Sequence, residues 1–364
     1  MLKQINLNIK DFDWLIFFLS LIISLIGIME IYSATQHQHS ENFHIKQLCF
    51  LGLGLVVMFI IANVDYHTFT ENAPYIYLGT IFALILVLII APTVSGTKGW
   101  IPIGTFKIQP SEFAKVAVIL ALSRFLCEIR EKFLTFVHIV KASLIVSLPM
   151  GLVLVQPDLG SAMTFIPPLI VGLFLGGLRF RWIICGILLS SLITMTGWYN
   201  LKQYQKERIY TFLEPENDPQ GWGYHSIQSR IAIGSGGVFG KGITKGSQTT
   251  LGFLPEPHTD FIFSVTGEEL GFIGSITILG LYFLTIMRAI HVAQTARDKL
   301  GIYLTVGCVS VMLFHIFVNV GMVLGLMPIT GIPLPLMSYG GSSMLSTFIL
   351  LGLIINVRMN RFVN

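Results

Sequence analysis

Three ionisable side chains, Glu256, His258 and Asp260, stand directly before the apolar run FIFSV. A carboxylate at such a boundary is partly desolvated, which lets its pKa rise toward the range that suits a general base. Asp260 is therefore the first candidate for chemistry. Its competing role is the N-cap of the helix that follows. Upstream, Gly236, Gly237, Gly240 and Gly242 lie among Arg230, Lys241 and Lys245, with Arg208 further back. Cations beside closely approaching glycine backbone suit an anionic group such as a pyrophosphate. No GKS or GKT follows at the Walker A spacing, so nucleotide binding is disfavoured.

Other chemistry-bearing residues lie far away in sequence. Pro110, Ser111 and Glu112 read as the first turn of a helix, and Lys115 falls three residues on, within pairing reach of Glu112. That pair is either a local ion pair at a helix start or the charged rim of a cavity. Asp158, in the short turn QPDLG, reads as an N-cap. Glu268 and Glu269 cannot comfortably face lipid, and serve either as buried hydrogen-bonded groups or as a polar lining below the site. His315 and Asn319 share one helix face and suit interhelical hydrogen bonds. His37, His39 and His44 have no neighbouring Cys and no helical pairing of histidines, so they read as solvated rather than metal-binding.

The elements that must position these residues are membrane helices. Of 364 residues 53% are hydrophobic and only 12% charged, and the mean hydropathy is +0.75. A span needs about 20 apolar residues, and runs of that kind recur throughout, so the chain is expected to be an all-α integral membrane protein of about ten helices forming a single unit over 1–364. The expected spans are 14–34, 47–63, 74–91, 110–127, 137–155, 160–175, 182–199, 261–290, 300–326 and 336–356. The first is expected to be retained rather than cleaved as a signal peptide. One large polar loop covers about 200–260, a length that implies function or short helices of its own. The Pro- and Gly-rich junction MPITGIPLPLMSYGGSS, which carries Ser342, should be broken backbone covered by protein.

The net charge of +4 sits in connections, arguing for orientation rather than nucleic-acid binding. With Arg124, Arg130, Lys132, Arg179, Arg181, Arg288, Arg297, Lys299, Arg358 and Arg361 on one side, that side and both termini are expected to be cytoplasmic. The large loop, the GTKGW loop, the QPDLG turn and the SYGGSS junction then converge on the outer face. Cys49, Cys127, Cys185 and Cys308 lie in or beside apolar segments and read as small hydrophobes.

Five motifs, in order, carry a family resemblance: GTKGWIPIGTFKIQPSEFAK, QPDLGSA, RIYTFLEPENDPQGWGYHSIQSRIAIGSGGVFGKG, LPEPHTDFIFSVTGEELGFIG and MPITGIPLPLMSYGGSS. The chain resembles the SEDS (shape, elongation, division and sporulation) family, with short termini that favour its elongation branch over its division branch. The resemblance implies a peptidoglycan glycosyltransferase that polymerises lipid II into β-1,4 glycan at the outer face of the plasma membrane. It implies that Asp260 is the essential aspartate and carries over Glu112, Lys115 and Asp158 from their motifs. Pro257 stands where many relatives have a small or basic residue.

As a base, Asp260 would take the proton of a sugar 4-hydroxyl in an inverting displacement of undecaprenyl pyrophosphate, with Arg208, Lys241 or a divalent cation, Mg or Mn, balancing the leaving group. Asp260 is the candidate ligand for such an ion, and no cofactor is otherwise required. His258 and Ser342 complete the supporting set. The partners implied are lipid II, the growing glycan strand, membrane lipid and a class B penicillin-binding protein on the spans at 261–290 and 300–326. A lipid II transporter, a non-catalytic scaffold and a division-type homologue are the alternatives. A transporter should show related halves and polar groups near the midplane.

Overall fold

The computed structural model describes residues 11–36, 42–93, 96–104, 106–186, 188, 206, 210–218 and 221–362. The helices are α1 (Trp14–Thr35), α2 (Phe43–Asn63), α3 (Tyr66–Glu71), α4 (Ala73–Ile90), α5 (Pro110–Glu128), α6 (Phe136–Val155), α7 (Leu159–Met163) and α8 (Ile166–Leu175). They continue as α9 (Trp222–Ser235), α10 (Ser247–Thr250), α11 (Ile262–Glu269), α12 (Gly271–Gln294), α13 (Lys299–Val323) and α14 (Gly341–Met359). The protein is a helical multi-pass membrane protein. Among the described residues seven helices, α1, α2, α4, α6, α12, α13 and α14, are long and apolar enough to cross a bilayer.

Several boundaries differ from expectation for local reasons. The expected span at 160–175 is split into α7 and α8, with Pro167 and Pro168 at the first turn of α8. The expected span at 261–290 is broken at Leu270, and its outer part is the separate helix α11. The last helix begins at Gly341, since the junction before it holds Leu336 at φ +68°. The expected helix at 182–199 lies outside the described residues from 189 onward. The GTKGW loop closes into an antiparallel hairpin, β1 (Ile101–Ile103) with β2 (Phe106–Ile108), in the register Ile101 to Ile108. The large polar loop contains α9 and α10.

α13 and α14 form the buried centre. α13 packs on α5, α8 and α12, and α14 packs on α2. Large apolar side chains of α2, α4, α6 and α12 point outward, among them Leu78, Phe82, Leu144 and Phe283. In a bilayer these face lipid.

One end of the bundle is stapled by charge. Asp13 caps α1 through the Ile16 N–H and also accepts from Arg288 Nε at 2.9 Å and from Arg358 Nη1. Asp298 caps α13 through the Gly301 N–H at 2.7 Å. Asn356 on α14 accepts from the Tyr66 N–H and donates to the Ile61 and Ala62 carbonyls, joining α14 to the end of α2 and the start of α3. These bonds satisfy helix-end groups that have no intrahelical partner.

Candidate active site

The segment before α11 is held by its main chain. The carbonyls of His258, Thr259 and Asp260 each accept one hydrogen bond: from Tyr339 N at 2.8 Å, Ser338 Oγ at 2.7 Å and Asn319 Nδ2 at 2.9 Å. Asn319 Nδ2 also donates to the Ile332 carbonyl at 2.8 Å. Three successive residues are thus fixed to α13 and to the junction before α14. The cap position of α11 is Phe261, which makes no side-chain capping bond. Asp260 is therefore not the N-cap of this helix, and that competing role falls away. Its carboxylate lies over Gly331: a Cβ built there would sit 3.4 Å from Asp260 Oδ2, and Gly331 has φ +71°. His258 is buried and its ring stacks on Phe43 at 4.7 Å.

Glu112 and Lys115 are both buried, and they pair at 2.8 Å. Ser346 Oγ donates to Glu112 Oε2 at 2.7 Å. His315 Nδ1 lies 3.1 Å from the Pro333 carbonyl, which can only accept, so Nδ1 carries the proton. His315 Nε2 is then the acceptor for Lys115 Nζ at 3.0 Å. The run Ser346, Glu112, Lys115, His315, Pro333 is continuous, and Asn319, one turn along the same face of α13, continues it to Asp260. His315 lies about 12 Å along α13 from its Val323 end. Glu112 and Lys115 thus form the local ion pair read for this helix start, and it is buried and bonded onward to Ser346 and His315.

Asp158 does cap α7, accepting from Ser161 N at 2.9 Å, and its other oxygen accepts from Gln109 Nε2 at 3.2 Å. Gln109 N in turn donates to Ser342 Oγ at 2.9 Å. Gly160 lies against the Thr330 carbonyl with no room for a side chain. The Lys98 N–H of the GTKGW loop donates to the Gln156 carbonyl at 3.3 Å, so that loop, the QPDLG turn, the SYGGSS junction and the Asp260 end of the large loop meet, together with the QPSE helix start.

Lys241 does not join them. Its Nζ pairs with the fully buried Glu268 at 2.7 Å and donates to Ser247 Oγ at 2.8 Å. Glu268 also accepts from Gln248 N and from Thr249 N and Oγ1. Glu269 accepts from Ser33 Oγ and Thr244 N. Both glutamates are structural and order the loop above them.

The glycine-rich loop has a different task from the anion cradle its composition implied. Where α11 breaks into α12, the carbonyls of Glu268 and Glu269 and the N–H groups of Phe272 and Ile273 lose helical partners. The loop supplies them: Lys241 N and Gly242 N donate to Glu268 and Glu269, while Gly237 and Val238 carbonyls accept from Phe272 and Ile273. Gly240 makes the approach possible, having φ +77° and room for no Cβ, which would lie 2.1 Å from the Glu269 carbonyl. Amides already bonded to a helix end cannot also hold a pyrophosphate. Arg208 lies outside the described residues.

Among the described residues no three His, Cys, Asp or Glu gather in a metal-ligating group. The single carboxylate of Asp260 does not fit a divalent cation held by protein donors alone. The sequence reading passed over Gln109, Ser338 and Ser346. Ser346 lies one helical turn after Ser342, and that spacing was the available signal.

A family model described as a cell cycle protein, FtsW/RodA/SpoVE, matches residues 12–362. The chain belongs to this family. The SEDS membership expected from the motifs is thereby shown, and among family members the chain is most like RodA. The peptidoglycan glycosyltransferase RodA of Treponema pallidum (strain Nichols) is 34% identical, over 96% of this chain and 98% of its own. RodA of Thermus thermophilus is similar with a TM-score of 0.72 and 29% identity, over 97% of this chain and 98% of that one. A chain from a structure described as "Structural coordination of polymerization and crosslinking by a peptidoglycan synthase complex" aligns with a TM-score of 0.84. Its identity is 31%, over 97% of this chain and 99% of that one.

Proposed function

We propose that this SEDS protein is a peptidoglycan glycosyltransferase that polymerises lipid II at the outer face of the membrane, with Asp260 as the general base. The observation that carries the role of Asp260 is the triple fixing of carbonyls 258–260. It holds one carboxylate in place at the meeting point of four polar features, without using the carboxylate itself as a helix cap. A base held this way needs little reorganisation when it acts.

Asp260 takes the proton from a sugar 4-hydroxyl as that oxygen attacks the anomeric carbon of a lipid-linked donor. The new O4–C1 bond forms as the bond from C1 to the pyrophosphate breaks, and one displacement inverts the α-linked donor to a β-1,4 product. The buried Glu112, Lys115 and His315 network braces the wall behind this site. Lys241 is paired with Glu268, so Arg208 remains the candidate cation for the departing pyrophosphate. An Mg or Mn ion at this site would take most of its ligands from the substrate phosphates.

The charged connections support a reading with both termini in the cytoplasm and the site outside. The partner reading is a class B penicillin-binding protein whose single helix packs on α12 and α13. α12 supports it with an open apolar face that includes Phe272, Ile276 and Phe283. The deciding experiment is polymerisation of purified lipid II by the purified protein, alone and with the transpeptidase. Glycan strands from the wild type and none from an equally stable Asp260→Asn are expected. Full polymerisation by Asp260→Asn would remove the base assignment.

A further inference from the structure

At the end of the bundle away from Asp260, a cavity of about 550 Å³ opens between the C-terminal ends of α5 and α8 and the start of α13. Its lining is apolar at Leu126, Ile129, Ile302 and the part-exposed Leu175, and basic at Arg130, Lys132 and Lys299. The one acid in the lining, Glu131, lies 3.7 Å from His138. Among the described residues none of the three cations forms an ion pair, and Lys132 only lies over the Phe133 ring. Lys299 stands in the first turn of α13, next to Asp298, whose carboxylate caps that helix.

A solvated basic surface would need no apolar lining, and a lipid-facing crevice would need no cations. The two together describe an amphiphile with an anionic head. We propose that this cavity binds the phosphate headgroup of an anionic phospholipid in the leaflet opposite the catalytic site, its acyl chains lying on Leu175 and Ile302. Basic pockets between membrane helices on the cytoplasmic side take such headgroups, and the charge distribution places this cavity there. The binding is separate from the glycosyltransferase chemistry and does not depend on Asp260.

The test is native mass spectrometry of the full-length protein released from nanodiscs that contain phosphatidylcholine and phosphatidylglycerol. The wild type is expected to retain phosphatidylglycerol in preference to phosphatidylcholine. Arg130→Gln with Lys299→Gln should lower that retention roughly 25-fold, from about five-fold per cation near the membrane surface. Lys245→Gln, which removes a charge away from the cavity, should leave retention unchanged. Addition of inorganic phosphate separates a lipid site from a simple anion site. Equal retention by wild type and double variant would overturn the proposal, as would loss of phosphatidylglycerol to millimolar inorganic phosphate. A melting curve on each variant confirms that the compared proteins are folded.

Discussion

Asn319 holds Asp260 by its carbonyl and not by its carboxylate. The amide nitrogen reaches Asp260 O at 2.9 Å and Ile332 O at 2.8 Å, so one side chain locks Asp260 to the junction before α14. Asn319→Leu keeps the volume and removes both bonds. We expect a stability loss of about 1–3 kcal/mol for the stranded carbonyls. Turnover should fall by up to about 100-fold through a displaced base, with KM for lipid II little changed. Steady-state kinetics beside a melting curve separates the two effects.

Glu112 and Lys115 are a buried charge pair, so removing one partner should hurt more than removing both. Lys115→Met leaves a buried carboxylate without its cation and is expected to cost about 3–5 kcal/mol. Adding Glu112→Gln should restore much of that stability without restoring polymerisation. A double-mutant cycle on thermal unfolding measures the coupling, and additive losses would show that the two side chains act independently.

The glycine-rich loop should respond as a structural splice. Gly240→Ala puts a Cβ against the Glu269 carbonyl at a φ that Ala resists, and is expected to cost more than about 1 kcal/mol. Lys241→Met should likewise lower the melting temperature while leaving KM for lipid II within about two-fold of wild type, since uniform binding is untouched. A large rise in KM with unchanged stability would return Lys241 to the substrate.

His67 makes a pH-dependent tie at the other end of the bundle, with Nδ1 2.8 Å from Asp65 and Nε2 2.9 Å from Asp298. Burial pulls its pKa down, but the bonds to the two carboxylates outweigh it and the net shift is upward. Its contribution is therefore complete below the unfolded value of about 6.5 and disappears as pH rises through the higher folded value. The pair is exposed enough that well under about 1 kcal/mol is at stake. Melting curves between pH 5.5 and 9 should fall more steeply for wild type than for His67→Gln.

The sequence disclosed the membrane class, the ends of most helices and the convergence of four distant motifs. Hydropathy and Pro and Gly placement are local signals, and they were enough for these. It did not disclose the break at Leu270, because the Gly267, Glu268, Glu269 and Gly271 around it can all be held within one continuous helix, while the bonds that replace the lost ones come from residues 237–242. For the same reason Lys241 and the glycines read as an anion site: composition shows which groups are present and not which are already bonded. Asp158 was legible as a cap, but its second bond to Gln109 needs two loops to be brought together.

The three donors that fix carbonyls 258–260 all come later in the chain, Asn319 by 59 residues and Ser338 by 79 from the carbonyls they bind. Glu112 waits longer still, for Ser346, 234 residues downstream. A nascent chain made only as far as α12 thus carries Asp260 and Glu112 but no assembled site. Biosynthesis itself keeps unfinished copies inert, and a chain cut between α12 and α13 should gain activity only when its two pieces reassociate.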